Sequence, residues 1–313
     1  MVTGTSLARG LRLLALASIL ALAGCGSDND ETTGGERPQA AADSGTFPAK
    51  ATHRSGTTTV AQRPQRIVTV GLTEQDVVLE LGYKPVGTTE WYGEQPGAIW
   101  PWARALMGTG NPTVLNAADG IPFEKVAALR PDLIIGTNAG MTRADYEKLS
   151  RLAPTIAGVP GGTEYFGRWD QQTLLIAQAL GKEAEGRALI ADVKARYAKV
   201  AAAHPEFKGK TATFSQNAFY DGLLYVYPDG LNTEFLSYLG FTINPKLTPL
   251  ANKRGEQATV SAERRSVYMD ATLSGASYFM TPLSLKYTLD RLAPQLEDAL
   301  AGKAPQRMVD TSD

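Results

Sequence analysis

Two histidines, His53 and His204, and one cysteine, Cys25, are all that 313 residues offer of the side chains that most often hold transition metals. An internal disulfide is excluded, and so is any His-rich or Cys-rich metal cage; a directly bound metal would need carboxylates or tyrosines. Charge of one sign is also missing. The 31 basic and 32 acidic residues leave a formal charge of −1, without the basic surplus that grips a phosphate backbone. Catalytic signatures are lacking too: there is no G-x-S-x-G elbow, no S-x-x-K, no H-E-x-x-H and no G-x-x-x-x-G-K-[ST] loop. The serine-nucleophile, zinc-hydrolase and nucleotide-hydrolysing readings thus lose their parts, and no enzymatic activity is expected. What remains is an ordinary globular composition, 43% hydrophobic and 20% charged, long enough for two domains.

The apolar run Leu11 to Ala23, with Arg9 before it and Arg12 at its start, is too short to span a bilayer and reads as the h-region of a secretory signal, residues 1–24. Its end, Leu22-Ala23-Gly24-Cys25, resembles a bacterial lipobox, which implies lipidation of Cys25 as the new amino terminus; the other reading is a plain signal peptide with a chance cysteine. A diacylglyceryl anchor holds through buried methylenes worth about 0.8 kcal/mol each. Residues 25–50 then form a polar tether with little to bury.

The body divides into an amino-terminal lobe (51–180), a lobe-spanning helix (181–205) and a carboxy-terminal lobe (206–313). In the first lobe, strands are predicted at Gly56 to Val60, Arg66 to Val70 and Lys84 to Thr88, with a helix capped by Thr73 between the last two. Gly120 to Gly140 packs a short amphipathic helix, a Pro131-Asp132 break and the apolar strand Leu133 to Ile135 into one unit. Strands apolar on both faces belong to parallel sheets covered by helices, where ligands bind beyond the strands' carboxyl ends. Thr137 and Asn138 stand there. A helix from Thr142 to Leu152 and a strand at Thr155 to Ile156 follow, so the lobe is a parallel α/β sheet of about four or five strands.

Two aromatic stretches are ligand candidates. Trp91, Tyr92, Trp100 and Trp102 crowd a Gly- and Pro-containing loop, with Arg104 close behind. They either fold into a local core or form a cleft wall on which a large flat ligand stacks. Tyr165, Arg168 and Trp169 occupy a second loop, where Arg168 is either a helix-start charge or a ligand contact. Helices are predicted at Gln171 to Leu180 and Glu183 to Ala203, the second with a 3-4-3 stripe of Ile190, Val193, Tyr197 and Val200 and a rise of roughly 30 Å. It would be a strut between lobes. In the second lobe, strands at Thr211 to Ser215 and Leu223 to Tyr227 flank a loop with Phe219 and Tyr220, and Asn232 to Leu239 is a helix. Val260-Ser261 should open another helix, Tyr268 to Asp270 end a strand, and Thr272 to Met280, with Ser274 and Tyr278, form a loop before a closing helix from Pro282 to Leu300.

The motifs RPQRIVTVG, FEKVAALRPDLIIG, ALGKEAEGRALI and DATLSGASYFMTPLSLKYTLDRLAP, together with the lipobox, make the chain resemble a periplasmic or cell-surface substrate-binding lipoprotein of ATP-driven importers. The class resembled is the helical-backbone one (class III) that binds ferric siderophores, haem or cobalamin, with ferric-siderophore and ferric-dicitrate binders most similar. The resemblance implies an α/β fold of two Rossmann-like lobes joined by one rigid helix, with the cleft between them. It also implies iron carried only inside the chelate, with no cofactor, and a monomer anchored at the outer face of the cell membrane. Glu124 and Glu263 would dock on a membrane permease, although as residues they are equally helix-start charges. Against the family pattern, about one strand-helix unit is missing from the second lobe near residues 265/266. A haem or cobalamin carrier, or an envelope scaffold without transport activity, is the alternative.

Overall fold

The computed structural model describes residues 45–90, 93–162, 165, 167–215, 223–251, 258–261 and 269–303. All of them belong to one compact unit, Asp43–Asp313. It opens with an antiparallel hairpin of β1 (Ala49–His53) and β2 (Gly56–Val60), registered from Ala49 opposite Val60 to His53 opposite Gly56. Alternate residues of β1 are buried, as a half-covered strand requires.

A five-stranded parallel sheet follows. Its elements are β3 (Ile67–Thr69), α1 (Glu74–Glu80), β4 (Gly87–Glu90), α2 (Pro101–Met107), β5 (Thr113–Asn116), α3 (Phe123–Ala128), β6 (Leu133–Ile135), α4 (Arg143–Leu149) and β7 (Thr155–Ile156). The strand order is β5-β4-β3-β6-β7. Period-two alternation divides the central strands between two cores: Ile67, Leu133 and Ile135 join Val77, Val78 and Leu81 of α1, while Val68 and Ile134 join Val126 of α3 and Leu149 of α4. Thr142 caps α4 through a reciprocal box with Asp145. Thr73 makes no such cap on α1; its N–H instead meets the carboxylate of Glu74 at 3.0 Å.

Two elements of this half depart from expectation. The Trp100-Pro101-Trp102 segment is not all loop: Pro101 sits at the first position of α2, where its fixed φ suits a helix, and Ala103 and Met107 give that helix a buried stripe. The strand β5 went unpredicted because only Leu115 of its four residues is buried, leaving no alternation to read.

Helix α5 (Trp169–Ala179) leads to α6 (Glu183–Ala203), which matches the expected long helix. Leu189 packs with the first half, whereas Ile190, Val193, Tyr197 and Val200 pack into the core of the second. The buried Tyr197 hydroxyl donates to the Leu285 carbonyl at 3.0 Å. The second half continues with β8 (Thr211–Ala212), β9 (Phe214–Ser215), β10 (Leu223–Tyr227), α7 (Glu234–Tyr238), β11 (Thr242–Ile243), β12 (Ala258–Ser261), α8 (Ala271–Tyr278) and α9 (Pro282–Leu300). Here β8 and β11 pair in parallel, and β12-β10-β9 form an antiparallel sheet.

Val260-Ser261 therefore continues a strand rather than opening a helix, because it pairs with Leu223 and Leu224 of β10. Met269 and Asp270 are not strand either. Asp270 caps α8 by accepting the Leu273 N–H at 2.6 Å, so most of the expected loop from Thr272 to Met280 is helical. Its small residues Gly275, Ala276 and Ser277 are buried, which allows close approach to α9. The proposed deletion near 265/266 lies outside the described residues. Helix α9 also reaches back to the first half, where Leu283 packs on Leu79, Ile99, Ala103 and Met107, and Lys286 pairs with Glu80.

Candidate functional site

The five-stranded order reverses direction between β3 and β6, the strands from which the chain winds outward both ways. In doubly wound sheets the crevice beyond the carboxyl ends of such strands is where ligands bind. Here the loop after β3 brings Thr73, and the loop after β6 brings Thr137 and Asn138. The two loops are laced together: Leu72 N–H donates to the Asn138 carbonyl at 3.3 Å, and Asn138 Nδ2 donates to Thr73 Oγ1 at 3.4 Å.

Beneath them lies Glu74, 1% exposed, whose carboxylate accepts the Asn138 N–H at 2.6 Å. Burial pushes its pKa up, and the Asn138, Thr73 and Thr137 hydrogen bonds oppose that rise. Gly71 is required here, since a Cβ would lie 2.1 Å from Glu74 Oε1 and 2.7 Å from the Asn138 carbonyl carbon. The Thr137 hydroxyl stands between Gln172 Oε1 (3.1 Å) and Glu74 Oε1 (3.4 Å).

Above this floor a narrow cleft of about 20 Å³ separates the two halves of the fold. Thr73, Asn138, Gly167, Trp169 and Gln172 line it from the first half, and Leu231, Asn232, Glu234, Tyr278, Phe279 and Met280 from the second. A polar chain closes its rim. Arg168 donates through Nη1 to Glu234 at 2.5 Å and through Nε and Nη2 to Asp170, each at 3.1 Å. Lys194 of α6 donates to the same Asp170 at 2.8 Å. Glu234 Oε2 accepts the Tyr238 hydroxyl at 3.1 Å, and that hydroxyl oxygen accepts Trp169 Nε1–H at 3.2 Å. Partial burial favours the neutral form of Asp170, but Arg168 and Lys194 outweigh it and hold the carboxyl below its usual range. The Asp170 hydrogen bond, with the Glu234 charge behind it, correspondingly raises the Arg168 guanidinium.

Of the ligand candidates read from sequence, Asn138, Trp169 and Tyr278 line this cleft, and Arg168 and Thr137 stand directly behind its wall. Trp100, Trp102 and Arg104 do not. Trp100 is 2% exposed and stacks on Trp102 with ring centroids 5.0 Å apart. Trp102 Nε1 donates to Asp76 at 2.7 Å, and its ring meets Tyr287 of α9. Arg104 is spent on the Pro96 and Ile99 carbonyls and on Asn111 Oδ1, so it closes its own loop instead of facing a ligand. The two tryptophans thus pack as a local core, the other of the two readings of this cluster.

Tyr165 is exposed and packs over Gly140, where a Cβ would lie 2.0 Å from its Cζ. Ser274 is buried on α8 with no partner for its hydroxyl among the described residues. Glu124 is exposed in the first turn of α3. Trp91, Tyr92, Phe219, Tyr220, Glu263 and Cys25 lie outside the described residues. Sequence reasoning passed over Thr73, Gln172, Asn232 and Glu234 as lining residues. The first was findable, because it follows the apolar strand β3 just as Thr137 follows β6; the others carry no local signal.

Among the described residues no group of three His, Cys, Asp or Glu side chains is placed to hold a metal ion, and no helix is long and apolar enough to cross a membrane. A family model described as periplasmic binding protein matches residues 67–268. The chain is 27% identical over 236 residues to the "Probable siderophore-binding lipoprotein YfiY" of Bacillus subtilis, covering 72% of this chain and 67% of that one. Among solved structures it is similar to a periplasmic solute binding protein from Mycobacterium smegmatis, at 33% identity and TM-score 0.70, with 80% of this chain and 98% of that one covered. It is also similar to PiaA of Streptococcus pneumoniae in complex with ferrichrome, at 25% identity and TM-score 0.65, with 82% and 99% covered.

Proposed function

From the premise that this chain belongs to the periplasmic binding protein family, we propose that it captures a ferric siderophore or related iron chelate in the cleft between its halves and delivers it to an ATP-driven permease. The observation that carries the reading is the position of the cleft. It opens at the crossover point of the parallel sheet, over Thr73 and Asn138, and its far wall comes from the other half of the fold. Trp169, Tyr278 and Phe279 offer aromatic surface, and Asn138, Gln172 and Asn232 offer neutral polar groups, a mixture typical of small-molecule sites. At about 20 Å³ the cleft is far smaller than the roughly 300–1,000 Å³ of such sites, so a bulky chelate enters only by spreading the halves apart.

The siderophore binding named for the Bacillus relative and the ferrichrome in the PiaA complex support the same ligand class. Iron then arrives inside its organic chelate, with no resident cofactor, and the protein binds and does not catalyse. Export and anchoring through a lipid on Cys25 place it at the outer face of the membrane. Glu124, exposed in the first turn of α3, docks on the permease together with Glu263.

Fluorescence titration tests the binding step. A ferric chelate seated beside Trp169 quenches its emission saturably, and Trp169→Phe removes most of that response while calorimetry still detects the chelate. Absence of saturable binding by ferric hydroxamates, ferric dicitrate and haem alike would overturn the proposal.

A further inference from the structure

Glu234 is the only charged side chain among the described residues lining the cleft. The cation nearest to it, Arg168, has its Nε, Nη1 and Nη2 all engaged, two of them on Asp170 and one on Glu234. Lys194 is held on Asp170 as well. Two cations are therefore matched by two carboxylates, and the member of the set that faces the ligand space is an anion. Both Glu234 oxygens are fixed, one by Arg168 and one by the Tyr238 hydroxyl, so the carboxylate is not free to swing away. The buried Glu74 beneath the floor contributes no positive charge. The other polar lining groups, Thr73, Asn138, Gln172 and Asn232, are neutral.

From this arrangement we infer that the cleft selects neutral or cationic ferric chelates over anionic ones, with Glu234 as the residue that sets the choice. The inference rests on the chelate-binding reading above and narrows its substrate class. A chelate carrying carboxylates would have to pull Arg168 away from Glu234, leaving the latter unpaired beside a second anion in a partly desolvated site. A neutral trihydroxamate needs only hydrogen bonds and ring contact, and a cationic one gains an attraction.

Calorimetric titration of the purified wild-type chain with neutral ferrichrome, cationic ferrioxamine B and anionic ferric dicitrate tests the ranking. The expected result is tighter binding of one or both hydroxamates than of the dicitrate, by on the order of tenfold or more. Glu234→Gln keeps the side-chain size, removes the lining charge and releases Arg168 Nη1. It should narrow the hydroxamate-to-dicitrate ratio by about tenfold, the ratio and not either affinity being the readout. Tighter binding of ferric dicitrate by the wild type would overturn this inference and leave chelate binding standing, as would an unchanged ratio in Glu234→Gln with an unaltered melt. No saturable binding of any of the three would instead strike the chelate reading itself. The wild-type ranking is decisive even where the variant fails to fold.

Discussion

Asp76 sits where α1, α2 and the start of α9 meet, and its carboxyl couples stability to pH in an unusual direction. Its Oδ2 accepts Trp102 Nε1–H at 2.7 Å and the Thr281 hydroxyl at 2.8 Å, while Oδ1 is buried with no partner among the described residues. Burial raises its pKa from 3.8 to about 7, with the negative charge of Glu80 adding to the rise and the two hydrogen bonds opposing it. Below about pH 4 the side chain is protonated folded or unfolded, and above about 7 it is ionised in both. Between those limits the folded state keeps a proton that the unfolded state has released, so stability falls as pH rises. A displacement of about three pH units, at about 1.36 kcal/mol each, bounds the effect near 4 kcal/mol, and about 2–4 kcal/mol is expected after relaxation. Asp76→Asn keeps the shape and the Oδ1 acceptor for Trp102 and Thr281 but carries no charge at any pH. Scanning calorimetry of both proteins from pH 4.5 to 7.5 should find similar melting points in acid. At pH 7.5 the variant should melt about 5–10 °C above the wild type. Parallel profiles, or a gap that widens toward acid, would refute the placement of a charged, under-bonded carboxylate at this junction.

His53 should act in the opposite sense. Its Nδ1 accepts the Ser55 N–H at 3.2 Å, which leaves the proton on Nε2 to donate to Thr58 Oγ1 at 2.9 Å, and Thr58 donates in turn to the Thr155 carbonyl at 2.8 Å. Burial lowers its pKa from 6.5 to about 4, so its contribution is complete above about 6.5 and is lost as pH falls through 4; His53→Gln should flatten that acid limb in urea titrations. For the exposed Glu124, Glu124→Ala should abolish chelate uptake by cells while leaving calorimetric affinity within about twofold, and an equal loss of affinity would remove the docking role.

How much of this was legible before the fold was known depended on whether a property is local. The strands β3, β6 and β7 announce themselves as apolar runs because each is buried on both faces, and α6 and α9 do so by helical stripes. Helix α8 did not. Its serine, glycine and tyrosine residues have a loop's composition, and what makes them helical is the Asp270 cap together with close packing on α9, which rewards small side chains over strong helix formers. Trp100 and Trp102 were visible as a cluster, but the cluster's use was decided by Asp76 and Tyr287, partners distant in the chain.

The same distinction governs the site. Thr73, Asn138, Trp169, Glu234 and Tyr278 converge only because a doubly wound sheet puts the loops after β3 and β6 side by side and α6 and α9 hold the second half against them. By residue type Arg168 is either a helix-start charge or a ligand contact, and a guanidinium without acidic partners would favour a carboxylate-rich chelate. Pairing reverses the inference: once Asp170 and Glu234 have taken the guanidinium, the charge left facing the cleft is negative. Ligand charge preference is thus set by which partner of an ion pair faces the cavity, and that is fixed by the contact between the start of α5 and the start of α7, segments 66 positions apart.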